Sequence, residues 1–182
     1  TREEALLRGG RIDTDYWAIV VGGRERNFEG EYFGPVHIFH AWRGRVTKQA
    51  YVDLLIALEK RFRPEQVLVE SNGAQEYLVQ DLKEHVSGKG VTRTKDKSAR
   101  AYGLQGLFES GQILFPSQKL ASNWEPYQAL INELLLFPEG GHDDLFDALE
   151  TMMEGAMELH PGGRFWCGML GSPQRNPWES AY

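Results

Sequence analysis

Acidic side chains at two distant points of the chain have the clearest capacity for chemistry. Glu70 ends a short aliphatic run and is followed at once by Ser-Asn-Gly, which predicts a buried strand with a carboxylate at its C-terminal end. Much later, a glycine pair and a histidine precede Asp143, Asp144 and Asp147. A strand-end acid beside helix-start acids is an arrangement that can bind a divalent metal ion.

The second acidic segment has the pattern of an amphipathic helix start, because apolar residues follow it at helical spacing. These residues are Leu145, Leu149, Met152 and Ala156. Since Asp147 lies four residues after Asp143 and three after Asp144, a helix can present two of these carboxylates on one side of its first turns. A purely structural interpretation stays open, in which the acids cap the helix and complement its dipole.

The available ligands indicate which metal ion is favoured. Cys167 is the only cysteine, so a cysteine-based zinc site is excluded, and carboxylate oxygens favour Mg²⁺ or Mn²⁺. Two such ions about 4 Å apart can activate a water and stabilise the leaving oxygen in phosphodiester cleavage. Paired carboxylates also serve glycosidases without metal. Acids clustered in one helical turn suit shared cation binding better.

Composition predicts one globular domain. A chain of 182 residues with 41% apolar content can bury a sizeable core. We expect the domain to span residues 1–160, and residues 161–182, which lack a repeating apolar face, to form a C-terminal tail. Neither a membrane span nor a signal leader is visible, and the single cysteine fits a reducing compartment. The net charge of -6 argues against a wholly basic nucleic-acid surface, but bound cations would cancel part of it.

The elements that must position the acids follow an α/β pattern. Strands are predicted at 15–23, 36–42, 67–70, 91–94 and 113–116, and helices at 47–62, 75–85, 95–108, 123–137 and from 145 onward. The first two strands form an antiparallel hairpin and the later ones follow helical crossovers, which gives a mixed sheet flanked by helices. Such sheets carry their chemistry at the carboxyl ends of strands, where Glu70 falls.

Two basic segments are candidates for contact with DNA. One is the long hairpin connection after the first strand, and the other is the turn that leads into the helix near residue 97. Their basic residues are Arg24, Arg26, Lys95, Lys97 and Arg100. An ordinary solvated surface explains both segments equally well.

Four segments together resemble a known family. In chain order they are 15–23, 67–73, 96–101 and 137–148, and they are similar to the C-terminal nuclease domain of the large terminase subunit of tailed bacteriophages. The likeness runs from about residue 15 to about residue 158. Any one motif is weak, but four in the right order are specific.

The resemblance implies an RNase H-like fold and an endonuclease, dependent on two Mg²⁺ or Mn²⁺ ions, that cuts concatemeric double-stranded viral DNA during packaging. By position, Glu70 is the strand-end metal ligand, and Asp144 with Asp143 supplies the helix-side ligand. Asp147 binds metal or supports its neighbours. Lys97 contacts a phosphate or steadies the carboxylates.

One part of the family pattern is missing. The family has an earlier strand that ends in a metal-binding aspartate, whereas positions 8–12 of this chain read Arg-Gly-Gly-Arg-Ile. Either residues are absent near positions 8–10, or Asp13 or Asp15 supplies that ligand. We favour a gap, because without its first strand an RNase H-like sheet loses its central member.

The resemblance also implies partners and a location. These are double-stranded DNA, the portal, the small terminase subunit and an ATPase domain of the same full-length protein, in the host cytoplasm. No Walker pattern occurs in this chain. Two alternatives remain, namely another RNase H-like nuclease of the junction-resolvase type and a non-catalytic interaction domain.

Overall fold

A computed structural model of the protein describes residues 16–29, 32–70, 88–91, 96–119, 123–158 and 164–169. The strands are β1 (Trp17–Arg26), β2 (Tyr32–Gly44), β3 (Gln66–Glu70), β4 (Gly88–Val91), β5 (Ile113–Leu114) and β6 (Arg164–Met169). The helices are α1 (Lys48–Phe62), α2 (Lys97–Glu109), α3 (Glu125–Leu136) and α4 (Asp144–Glu158). No helix within these ranges has the length and apolar character needed to cross a membrane.

The described strands form one mixed sheet in the order β4-β3-β6-β1-β2-β5. β1 pairs antiparallel with β2 and with β6, whereas the pairs β2–β5, β3–β4 and β3–β6 are parallel. This architecture confirms the predicted α/β fold with a mixed sheet flanked by helices.

Alternate residues of the strands face opposite sides of the sheet, and each side has its own core. On one side, Trp17, Ile19 and Val69 pack with apolar residues of α1. On the other, Ala18 and Leu68 pack with the apolar stripe of α4. The members of that stripe are Leu145, Phe146, Leu149, Met152 and Met153, each at most 2% exposed. The helical spacing in the sequence therefore predicted the buried face of α4 correctly.

Local signals explain where several helices begin and end. The Thr47 side chain accepts a hydrogen bond from the Ala50 backbone N–H and caps α1, as predicted. Arg63 ends that helix in the left-handed conformation, just ahead of a proline. The Asp96 side chain accepts from the Ser98 and Ala99 backbone N–H groups, so α2 begins at Lys97.

β6 lies inside the segment that the sequence predicted as a tail. It stands between β1 and β3, the central place that sequence analysis left without a strand. Its six residues do not alternate between polar and apolar side chains, so the sequence gives no periodic strand signal there.

β4 also differs from prediction, because it begins at Gly88 rather than near residue 91. The glycines at 88 and 90 indicated a turn, but pairing with β3 overrides that local preference. The helix predicted at 75–85 lies outside the described residues.

Candidate active site

Glu70 ends β3 and is buried, with 6% of its surface exposed. Leu68, two residues earlier, packs in the core shared with α4, so Glu70 projects toward the same face of the sheet. In the sheet register, Val69 is opposite Gly168, and Gly168 is opposite Ile19. Glu70 is therefore one residue beyond this row, where β3 ends and β1 begins. This line of strand ends is the edge of the sheet at which the candidate site lies.

The start of α4 lies at that same edge. The His142 ring meets the Tyr16 ring edge-on, with centroids 4.9 Å apart, and Tyr16 directly precedes β1. Since neighbouring strands are about 4.8 Å apart, β1 and β3, which flank β6, are separated by about 10 Å. The fold thus brings Glu70 and the segment carrying Asp143 and Asp144 to one edge and one face of the sheet. Their roles as metal ligands stay predictions.

Lys97 lies among the acids of α4. Its ammonium donates hydrogen bonds to Asp143 Oδ2 and, across 2.9 Å, to Asp147 Oδ2. The rings of Phe137 and Phe146 are stacked with their centroids 4.5 Å apart. The ammonium lies 6.0 Å and 5.9 Å from these two centroids, at the limit of a cation–π contact. Burial by itself lowers the pKa of Lys97, but the two carboxylates outweigh burial and raise that pKa above the ordinary lysine value. Lys97 is therefore a fixed positive charge at this site.

Arg100 lies one turn further along α2 and contacts the next turns of α4. Its Nη1 is 3.2 Å from Asp147 Oδ1 and 2.7 Å from Glu150 Oε2, and only 8% of its side chain is exposed. Both oxygens of Asp147 are thus occupied by basic partners. Arg100 and Asp147 therefore hold α2 against α4. The DNA contact and the metal ligand that the sequence suggested for them stay predictions.

Two arginines that sequence analysis did not select also reach this edge. Arg43 and Arg45 come at the end of β2, where Arg43 is opposite Ala18 of β1. Their guanidinium carbons lie 4.9 Å and 4.4 Å from the centre of the Tyr16 ring. The hairpin register was the signal that could have found them, because it returns the end of β2 to the start of β1.

Glu133 is another residue that sequence analysis missed. Its side chain, only 4% exposed, pairs with Arg43 Nη1 at 2.6 Å. It also accepts hydrogen bonds from the backbone N–H groups of Leu145 and Phe146. In the sequence Glu133 is one acid within an ordinary amphipathic helix, and nothing around it signals this role.

The other predicted residues lie elsewhere. Arg24 is six residues along β1 from Ala18, about 20 Å toward the opposite edge of the sheet at 3.3 Å per residue. The side chain of Arg26 lies outside the described part of the structure, and so do Lys95, Asp13 and Asp15.

The donors at this edge suit a hard divalent cation in kind, since they are carboxylate oxygens without sulfur ligands. Within the described ranges, no group of three or more histidine, cysteine, aspartate or glutamate side chains is close enough to hold a metal ion. Lys97 supplies a positive charge to Asp143 instead. A cation bound here would therefore share Asp143 with Lys97 or replace Lys97 there.

Comparison with known proteins agrees with this geometry. A family model described as terminase RNaseH-like domain matches residues 13–155. The chain belongs to the terminase RNaseH-like domain family. Searches of curated proteins and of solved structures found no match.

Family membership confirms the predicted resemblance and the RNase H-like fold of this terminase domain. It also supports the coarse prediction of a nuclease-type role in packaging, with DNA and the packaging machinery as partners in general terms. The matched range contains β1 to β5 and most of α4, and hence every described acidic residue discussed above.

Proposed function

We propose that this terminase domain is a metal-dependent endonuclease that cuts concatemeric double-stranded viral DNA during genome packaging. The observation that carries the proposal is the convergence of two acidic segments, separated by about seventy residues of sequence, at one edge and on one face of the sheet. Because the chain belongs to a terminase RNaseH-like family, we interpret the converging acids as a nuclease site.

Glu70, Asp144 and Asp143 would hold Mg²⁺ or Mn²⁺, in a site for two ions. Bound there, the ions would supply an activated water and charge stabilisation for phosphodiester cleavage. The further ligand that the family pattern expects either is absent from this chain near residues 8–10 or would come from Asp13 or Asp15. Asp147 supports the site through its two basic partners.

Lys97 holds Asp143 and Asp147 until the site is loaded. A lysine ammonium has three N–H donors, so Lys97 can keep Asp147 while it releases Asp143. The donor released from Asp143 would then be available for a phosphate oxygen of the DNA. Lys97 thus combines a phosphate contact with the support of a carboxylate, the two roles that the sequence left open.

The end of β2 offers a place for the DNA backbone. Arg45 is exposed and lies over the Tyr16 ring, beside the start of α4. Arginine and aromatic side chains at such a position can pair with phosphates and stack on bases. In the packaging complex, the ATPase domain, the portal and the small terminase subunit would deliver DNA to this edge.

Incubation of supercoiled plasmid with Mn²⁺ tests the proposal. We expect nicked and linear products with little sequence preference, and no cleavage by Asp144→Ala. The matched control is Asp53→Ala, an exposed aspartate on α1, which covers the opposite face of the sheet. Cleavage of four-way junctions alone would indicate a resolvase. Intact plasmid under all conditions would indicate an interaction domain.

A further inference from the structure

Glu133 of α3 is a buried carboxylate that joins three elements. Oε1 accepts a hydrogen bond from Arg43 at the end of β2 across 2.6 Å. Oε2 accepts from the backbone N–H groups of Leu145 and Phe146, at 2.8 Å and 3.0 Å, in the first turn of α4. One side chain thus connects β2, α3 and the acidic helix.

These two N–H groups belong to the helix end that has no partner within its own helix. They are the second and third positions of α4, the groups that the side chain of an N-cap residue ordinarily satisfies. The sequence suggested Asp143 for that task. In the structure Glu133 performs it, and the Asp143 carboxylate pairs with Lys97.

A cap from another helix has a consequence that a local cap lacks. If Asp143 capped α4, its carboxylate would be hydrogen-bonded to the backbone of that helix. Because Glu133 satisfies those N–H groups instead, the Asp143 carboxylate can face Lys97 and the edge of the sheet. Because Arg43 of β2 donates to the same carboxylate, Glu133 also fixes the first turn of α4 relative to β2.

Arg43 connects the start of α4 to the strand ends by a second route, through Tyr16 and His142. Its guanidinium pairs with Glu133 and lies over the Tyr16 ring, and the Tyr16 ring meets His142. Residues on both sides of Asp143 and Asp144 are therefore tied to the strand ends near Glu70. Burying a carboxylate is costly unless it is paired, and the Arg43 charge and two backbone donors provide that pairing.

We propose that Glu133 is a positioning residue for the metal-binding acids: by holding the first turn of α4, it keeps the segment that carries Asp143 and Asp144 at the strand ends near Glu70. The proposal rests on the nuclease function proposed above. Glu133 touches neither DNA nor metal, and it acts through the backbone of Leu145 and Phe146. Its loss would weaken metal binding before it affects cleavage by the loaded site.

Glu133→Gln separates capping from pairing. The amide oxygen can still accept from the α4 backbone, but the amide nitrogen would then face the Arg43 guanidinium, and two donors cannot bond each other. The matched control is Glu125→Gln, the same substitution at an exposed position of the same helix. Arg43→Lys is a second test, since it keeps the charge and removes the planar fork.

The experiment measures Mn²⁺ binding by titration calorimetry and the Mn²⁺ dependence of plasmid nicking, with the melting temperature of each variant. We expect Glu133→Gln and Arg43→Lys to need roughly tenfold more Mn²⁺ for half-saturation, as is typical when a partner behind a ligand is lost. Cleavage at saturating Mn²⁺ should stay near that of the unmodified chain, and Glu125→Gln should match the unmodified chain throughout.

Three outcomes would overturn the proposal. One is unchanged Mn²⁺ affinity in a folded Glu133→Gln protein. Another is a lower melting temperature with unchanged affinity, which would make the bond merely structural. If Glu133→Gln does not fold, unchanged affinity in Arg43→Lys has the same meaning. Failure of the nuclease function itself is distinguishable, because the unmodified chain would then neither bind Mn²⁺ nor nick DNA.

Discussion

Lys97 and Asp147 are joined by a hydrogen bond of 2.9 Å between the ammonium and Oδ2, across fifty residues of sequence. The bond ties the start of α2 to the first turn of α4. Because the same ammonium also contacts Asp143, a positive side-chain charge lies where the proposed function requires a divalent cation. If the proposed function holds, the ammonium and the cation would compete for Asp143.

Lys97→Ala should separate metal binding from cleavage. Without the competing ammonium, Mn²⁺ should bind several-fold more tightly, whereas cleavage at saturating Mn²⁺ should fall by roughly 10²-fold because a phosphate contact is lost. Titration calorimetry and plasmid nicking measure the two effects. Lys119→Ala, at an exposed lysine, is the control and should change neither. Weaker Mn²⁺ binding in Lys97→Ala would contradict the competition.

Arg100→Ala should destabilise the fold. It leaves Asp147 and Glu150, whose side chains are 17% and 10% exposed, without the guanidinium they share. Breaking a buried ion pair from one side costs about 3 kcal/mol. Urea unfolding followed by circular dichroism measures this loss. If Arg100 served mainly to contact DNA, stability would be nearly unchanged and DNA affinity would fall instead.

Gly155→Ala tests how closely α4 lies on the sheet. A Cβ at this position would come within 2.0 Å of Leu68 Cδ1 in the core. We expect a loss of about 1–3 kcal/mol from overpacking. The same change should cost less when it is made in a Leu68→Ala background, because the clashing side chain is then absent. Gly103→Ala in α2 is the control, since no atom in the described part of the chain lies within 4 Å of its added Cβ. That change should stabilise by about 0.5–1 kcal/mol, as alanine favours helix over glycine.

His40 should make the fold sensitive to mild acid. Burial, and then the nearby Arg61 charge, lower the pKa of His40 below the ordinary value of 6.5, and its buried Nε2 has no hydrogen-bond partner among the described residues. The unfolded chain therefore binds this proton more readily, so stability is lost as pH falls below about 6.5. In His40→Phe that part of the loss should disappear. The free energy of unfolding at pH 7.5 and at pH 5 measures the difference, and an equal loss in both proteins would refute it.

The sequence predicted those parts of the fold that depend on local patterns. Glu70 follows an aliphatic run and is buried at a strand end, and α4 buries the stripe that its spacing indicated. Thr47 and Pro126 fall at helix starts as their chemistry favours. Each of these features is decided by residues within a few positions of one another.

Features that depend on tertiary register were not predictable in this way. Arg43 reaches Glu133 only because the hairpin register returns it to the start of β1 and α3 packs beside it. Arg24 was selected for its charge, but the same register carries it toward the far edge. β6 shows no periodic signal, because its six residues do not alternate between polar and apolar side chains. Such contacts become visible only once the sheet order is known.

The central claim is that Glu70 and the Asp143–Asp144 pair together hold divalent ions. Anomalous diffraction from a crystal of this chain grown with Mn²⁺ measures this directly. The account predicts anomalous density within about 2.2 Å of carboxylate oxygens from both Glu70 and Asp144, with Lys97 no longer on Asp143. Manganese density that is absent, or that contacts only one of the two segments, would contradict it.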